Sequence, residues 1–74
     1  MNLNDIPPGE TGRVTTITAS GMLDRRLTGI GICRGAVIKV IRSAPLKDPI
    51  EIEVEGCYLS LRRQEATYVE MEKA

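Results

Sequence analysis

Three glutamates, Glu51, Glu53 and Glu55, recur at every second position between Ile50, Ile52 and Val54. On an extended strand that spacing lines carboxylates along one face, an oxygen-rich surface of the kind that divalent metal ions accept. Such a stripe more often solvates the outside of a half-buried strand, and the three glutamates are the chain's metal-ligand candidates beside that reading. Two thiols, Cys33 and Cys57, stand 24 positions apart and form no C-x-x-C, and no second pair completes a tetrahedral thiolate site. They read as two reduced, mostly buried thiols of a cytosolic protein. The chain holds no histidine. That removes the imidazole general base, the Cys–His nucleophile pair and the ordinary Cys/His zinc site. Nothing else assembles acid–base or nucleophile machinery, which points to a binding module and not an enzyme.

Charge narrows the partners. Ten basic side chains balance ten acidic ones, whereas a dedicated nucleic-acid binder needs a cationic surplus. The balance is uneven along the chain. Arg13, Arg25, Arg26, Arg34, Lys39 and Arg42 outnumber Asp5, Glu10 and Asp24 in residues 1–46, which carry +3, and residues 47–74 carry −3. In a small fold the two halves can pair with one another, or leave a basic patch facing an acidic partner. Neither a secretory signal nor an apolar run long enough to span a membrane is visible, so direct membrane insertion is not expected. With two tyrosines as the only aromatics, the chain lacks an aromatic-lined groove for proline peptides and stacking platforms for single-stranded nucleic acid. No helix-turn-helix segment is present either, so a repressor reading would need a further domain.

The elements that must position these residues can be read in order. With 74 residues there is room for one domain, 1–74. Met1–Gly12, with Pro7-Pro8-Gly9, reads as an extended arm entering a turn, with Leu3 and Ile6 tucked against the domain. Gly12–Ala19 is rich in β-branched residues and predicts a strand. Val14 and Ile17 lie three apart, which puts a bulge near Thr15–Thr16. Leu23, Leu27 and Ile30 repeat at i, i+4, i+7 and predict a short helix docked on the sheet, with Ser20 as N-cap, Gly31 at its C-terminal end and Asp24, Arg25 and Arg26 turned away. Gly29-x-Gly31-x-x-x-Gly35 is a set of turn glycines, because no Lys-Ser/Thr follows it as in a phosphate loop. Ala36–Arg42 is a strand with Ala36, Ile38 and Val40 on one face. Val37, Lys39 and Ile41 lie on the other, which suggests that both faces are covered.

Ile50–Leu61 is the most informative stretch. Strict alternation up to Glu55-Gly56 predicts a hairpin that pairs Val54 with Cys57, Ile52 with Leu59 and Ile50 with Leu61 on the inner face. Outside, Glu53 lies beside Tyr58, Glu51 beside Ser60, and Arg62 within diagonal reach of Glu51. Arg62–Ala66 reads as a helical turn, and Thr67–Glu72 as a closing strand with Val69 and Met71 inward. The fold class is therefore mainly β: a small barrel of about five strands with one short α-helix after the first, its closure removing exposed edges.

In this order and spacing the chain resembles the ferrous iron transport protein A (FeoA) family. The likeness runs through Ile6-Pro7-Pro8-Gly9, Gly12, Val14, Arg26-Leu27, Gly29-Ile30-Gly31-Ile32, Gly35, Ile38 and Val40. It continues through Pro45, Asp48-Pro49, Ile52, Val54 and Gly56 to Leu61-Arg62-Arg63 with Glu65-Ala66 and Val69. Two positions depart from the family pattern: Arg34 stands where proline is usual, and Lys47 where glycine is usual. Both lie in turns. The resemblance implies an SH3-like barrel and a cytoplasmic accessory protein of bacterial ferrous iron uptake. Its expected partner is the cytosolic GTPase region of a membrane iron transporter of the FeoB type, which would recruit it to the inner face of the cell membrane. A related domain in metal-dependent repressors implies the alternative, a transition-metal-binding module acting as sensor or chaperone, with Glu51, Glu53 and Glu55 as the ligands on offer. For the transporter reading, the candidate contact residues are Met22, Arg25 and Arg26 on the helix and Val37 and Ile41 on the mixed-face strand. Arginine's enrichment at interface hot spots favours the two arginines as the first to test.

Overall fold

A computed structural model describes residues 1–74. Its five strands are β1 (Thr11–Ile17), β2 (Val37–Ser43), β3 (Ile50–Val54), β4 (Cys57–Leu61) and β5 (Val69–Lys73). Helix α1 (Gly21–Gly29) separates β1 from β2, and the short α2 (Arg63–Ala66) separates β4 from β5.

Alternation and turn chemistry build the β3–β4 hairpin. Ile50, Ile52 and Val54 are buried, and all five expected pairs form, from Val54–Cys57 to Ile50–Leu61. The turn needs positive φ at both central residues, and Glu55 (51°) and Gly56 (83°) supply it. Glycine adopts this conformation without a Cβ penalty, and Glu55 does so against its preference.

The sheet is antiparallel throughout, in the order β4-β3-β2-β1-β5, the coiled sheet of an SH3-like barrel. Two bulges bend it. One lies between Val14 and Thr16 on β1, where the spacing of Val14 and Ile17 requires it. The other lies between Val40 and Arg42 on β2 and changes the phase of that strand, so that Arg42 meets Glu51 on the outer face. At Gly12, a Cβ would come within 2.9 Å of Met71 Cε, 3.0 Å of the Glu72 carbonyl and 3.1 Å of Ile6 Cδ1. Only glycine lets β1, β5 and the N-terminal segment approach so closely.

Leu3, Ile6, Val14, Leu27, Ile32, Ile38, Val40, Ile52, Leu61, Val69 and Met71 all join one core, which contains no buried polar side chain. Several sequence expectations are corrected here. The N-terminal arm is not simply extended: Leu3–Asp5 form a 3₁₀ turn in which Asn2 accepts from Asn4 N–H at 2.9 Å. Ile30 is 38% exposed, and Ile32 takes its place in the core. Gly31 (φ 96°) reverses the chain, with its N–H on the Thr28 carbonyl (3.1 Å) and Ile32 N–H on the Leu27 carbonyl (2.9 Å). This C-terminal motif packs Ile32 with Leu27 and leaves Ile30 outside. Ser20 holds the N-cap position, but its side chain makes no capping bond. β2 is covered on one face only, and Val37 is 42% exposed on the other. Both cysteines are exposed. Cys57 does face inward, but it lies next to the turn on the last strand of the sheet, where no further strand covers it. Nor does the barrel close by pairing β4 with β5. The N-terminus covers the outer edge of β5 instead, through an Asn2–Glu70 bridge and a 2.8 Å bond from Met71 N–H to the Met1 carbonyl.

Candidate functional site

Met22, Arg25 and Arg26 are brought together by the period of α1. Leu27 is fully buried and Leu23 half-buried, which anchors one side of the helix. Full burial of one leucine stabilises the docked helix by about 2 kcal/mol. Positions 22, 25 and 26 then share the opposite side by i, i+3, i+4 spacing. Met22 is 86% exposed, and Arg25 is exposed without a salt-bridge partner. Arg26 is not free. Its guanidinium pairs with Glu65, a half-buried carboxylate whose other oxygen accepts from Arg62 N–H at 3.0 Å and so caps α2. Asp24, expected to turn outward, is half-buried.

Val37 and Ile41 lie on β2, and no hydrogen bond or ion pair joins them to the α1 group. Val37 lines a shallow cleft of about 350 Å³ with Thr11, Lys39, Glu53 and Glu55. Ile41 is the extra residue of the β2 bulge and is half-buried.

The three glutamates are engaged differently from one another. Glu51 accepts from Arg42 Nε at 2.6 Å, in place of the expected diagonal contact with Arg62. The β2 bulge aims Arg42 there. That hydrogen bond, reinforced by the carboxylate's charge, raises the Arg42 pKa above its ordinary value. Glu53 stands between its cross-strand neighbours Lys39 and Tyr58, and Glu55 sits in the turn. No three carboxylates or thiols converge as a metal cage.

The charge asymmetry is partly resolved within the fold. All three ion pairs, Arg26–Glu65, Arg42–Glu51 and the N-terminal amine with Glu70 (3.8 Å), join the first half of the chain to the second. Sequence reasoning missed a junction centred on Arg63. Its Nε donates to the Lys47 carbonyl and its Nη1 to Asn4 Oδ1 at 3.3 Å. Its N–H donates to Asp48 Oδ1 at 3.0 Å, and its carbonyl accepts from Asn4 Nδ2 at 2.9 Å and Thr67 Oγ1 at 3.0 Å. The signal that could have found it is the run Leu61-Arg62-Arg63-x-Glu65-Ala66: Leu61 and Ala66 are fully buried, Arg63 is the hub and Glu65 the cap.

No helix is long and apolar enough to cross a membrane. The FeoA domain family matches residues 1–73. A fusion protein of Porphyromonas gingivalis, joining Fe(2+) transport protein A to the Fe(2+) transporter FeoB, is 29% identical over 72 residues. That match takes in 97% of this chain and 8% of the fusion protein's length. The solution structure of FeoA from Chlorobium tepidum is 40% identical, superposes with a TM-score of 0.92, and is matched over 99% of this chain and 70% of its own. Iron(II) transport protein A from Clostridium thermocellum is 34% identical with a TM-score of 0.94, over 99% of this chain and 45% of its own. Sequence motifs, SH3-like architecture and family match coincide over almost every residue: the chain belongs to the FeoA family.

Proposed function

We propose that this protein is a non-enzymatic accessory of ferrous iron uptake that binds the cytosolic, GTPase-bearing part of an FeoB-type transporter. The observation that carries this reading is the Porphyromonas gingivalis fusion, in which a segment like this chain shares one polypeptide with the transporter. Covalent linkage gives two modules a high effective concentration, an arrangement useful only where they work together. The outward side of α1 makes the primary contact, with Met22 as the apolar anchor and Arg25 as the unpaired cation. Arg26 positions the helix through Glu65, and Val37 and Ile41 extend the contact along β2. The protein works in the cytoplasm and reaches the inner membrane face only through the transporter.

Titration of the full chain into the soluble GTPase-bearing region of the transporter from the same organism tests this, without nucleotide, with GDP and with a GTP analogue. Saturable binding is expected, weakened tenfold or more, about 1.4 kcal/mol, by the pair M22D and R25E. Absence of binding in all three states overturns the reading.

A further inference from the structure

The two edges of the sheet are protected unequally. β5 carries Glu70, Glu72 and Lys73, and Met1–Asn2 cover its outer side. β4 has no strand on its outer side, no charge, no proline and no bulge in Cys57-Tyr58-Leu59-Ser60-Leu61. Natural edge strands ordinarily carry such features because an uncovered one is a template for another strand. In a two-residue hairpin, Val54–Cys57 is a hydrogen-bonded pair, and the pairs alternate from there. The N–H and C=O groups of Tyr58 and Ser60 therefore point away from β3, and neither residue makes a backbone hydrogen bond beyond the sheet.

We propose that β4 is a self-association edge, on which two copies of this chain pair antiparallel about a two-fold axis at Leu59. Tyr58 then lies opposite the partner's Ser60, and each of the two such pairs exchanges two hydrogen bonds. All four outward groups of each strand are satisfied. Leu59, half-buried on the inner face, meets its own counterpart, and no charges of like sign are opposed along the strand.

A second copy fits because of the charges at the strand's ends. Arg62 continues the extended path (φ −67°, ψ 144°) and falls beside the partner's turn, where Glu55 is exposed. Arg62 and Glu55 are both exposed, and neither takes part in a salt bridge within the chain. The two-fold pairs each with the other, twice. An edge of five residues falls below the size of a standard stable interface, so the association is weak and concentration-dependent.

Sedimentation equilibrium on the full chain, from roughly 20 μM to about 1 mM, reads the apparent mass, which is expected to climb towards twice that of one chain. The variant S60P removes an outward N–H without touching the β3 ladder, and is expected to remain monomeric with an unchanged circular dichroism spectrum. Should S60P fail to fold, the charge variants decide. E55R and R62E are each expected to weaken the dimer roughly two- to tenfold, and the double variant to restore it. A wild-type chain that stays monomeric at 1 mM, a folded S60P that still dimerises, or a double swap without rescue overturns the proposal. Each result is independent of transporter binding.

Discussion

The β3–β4 hairpin and the junction that follows it are neighbours in the chain and are held by opposite means. The hairpin depends on alternating burial: Ile50, Ile52 and Val54 face the core, and a positive-φ turn sets the register. The junction depends on polar atoms, with Arg63 tying Asn4 to the backbone of Lys47 and the carboxylate of Asp48. Hydrophobic burial has no preferred direction, so a hairpin tolerates changes on its outer face. Hydrogen bonds at a part-buried site have direction, so the junction should fail when one side chain is shortened.

The largest contrast is reached by cutting the hairpin's inner face. I52A leaves a cavity at a fully buried site and is expected to cost about 3 kcal/mol, a large share of the stability of a domain this small. E53A, one residue away on the outer face, should change stability by no more than about 0.5 kcal/mol. Urea denaturation of both variants checks the pair. Equal losses would mean that the inner face does not dominate.

The junction comes next. R63A removes the guanidinium from two acceptors and leaves the Lys47 carbonyl and Asn4 Oδ1 without that donor, for an expected loss of about 1–3 kcal/mol. R63K should recover little of it, because an ammonium lacks the planar fork that reaches both acceptors. Amide exchange should quicken in residues 1–6 and 44–49, while Ile52 and Leu59 keep their protection. Uniform quickening across the chain would show that junction and hairpin open as one unit.

This contrast also explains what could be read in the amino-acid order. Elements governed by near neighbours were legible: the hairpin register, the β1 bulge from Val14 and Ile17, the glycine that ends α1, and the inward Val69 and Met71. Features that depend on distant partners were not. Nothing local says that Glu51 prefers Arg42, because that choice follows from the β2 bulge. Nor does alternation reveal that Cys57, inward by phase, stands where no further strand covers it. The candidate contact face was half legible. The period of α1 places Met22 and Arg25 outward, but Glu65, nearly forty positions on, claims Arg26.

The smallest effects separate the two regions by turn chemistry. Lys47 (φ 67°) and Glu55 (φ 51°) are the two non-glycine residues in left-handed conformation, one beside the junction and one in the hairpin turn. Lys47 is the position where the family pattern carries glycine. Relief of a left-handed side chain is worth roughly 1–2 kcal/mol, and glycine returns about 0.4–1 kcal/mol of that through the freer unfolded chain. K47G should therefore raise stability by about 0.5–1 kcal/mol, a few degrees in Tm, with the Arg63 bond to its carbonyl kept. E55N meets the Asn-Gly preference of this turn and gains a similar amount without the glycine entropy. Thermal melts at low micromolar concentration compare the two. A gain from E55N with a loss from K47G would mean that the Lys47 side chain itself stabilises the junction, which would shift part of its strength from Arg63 to the loop.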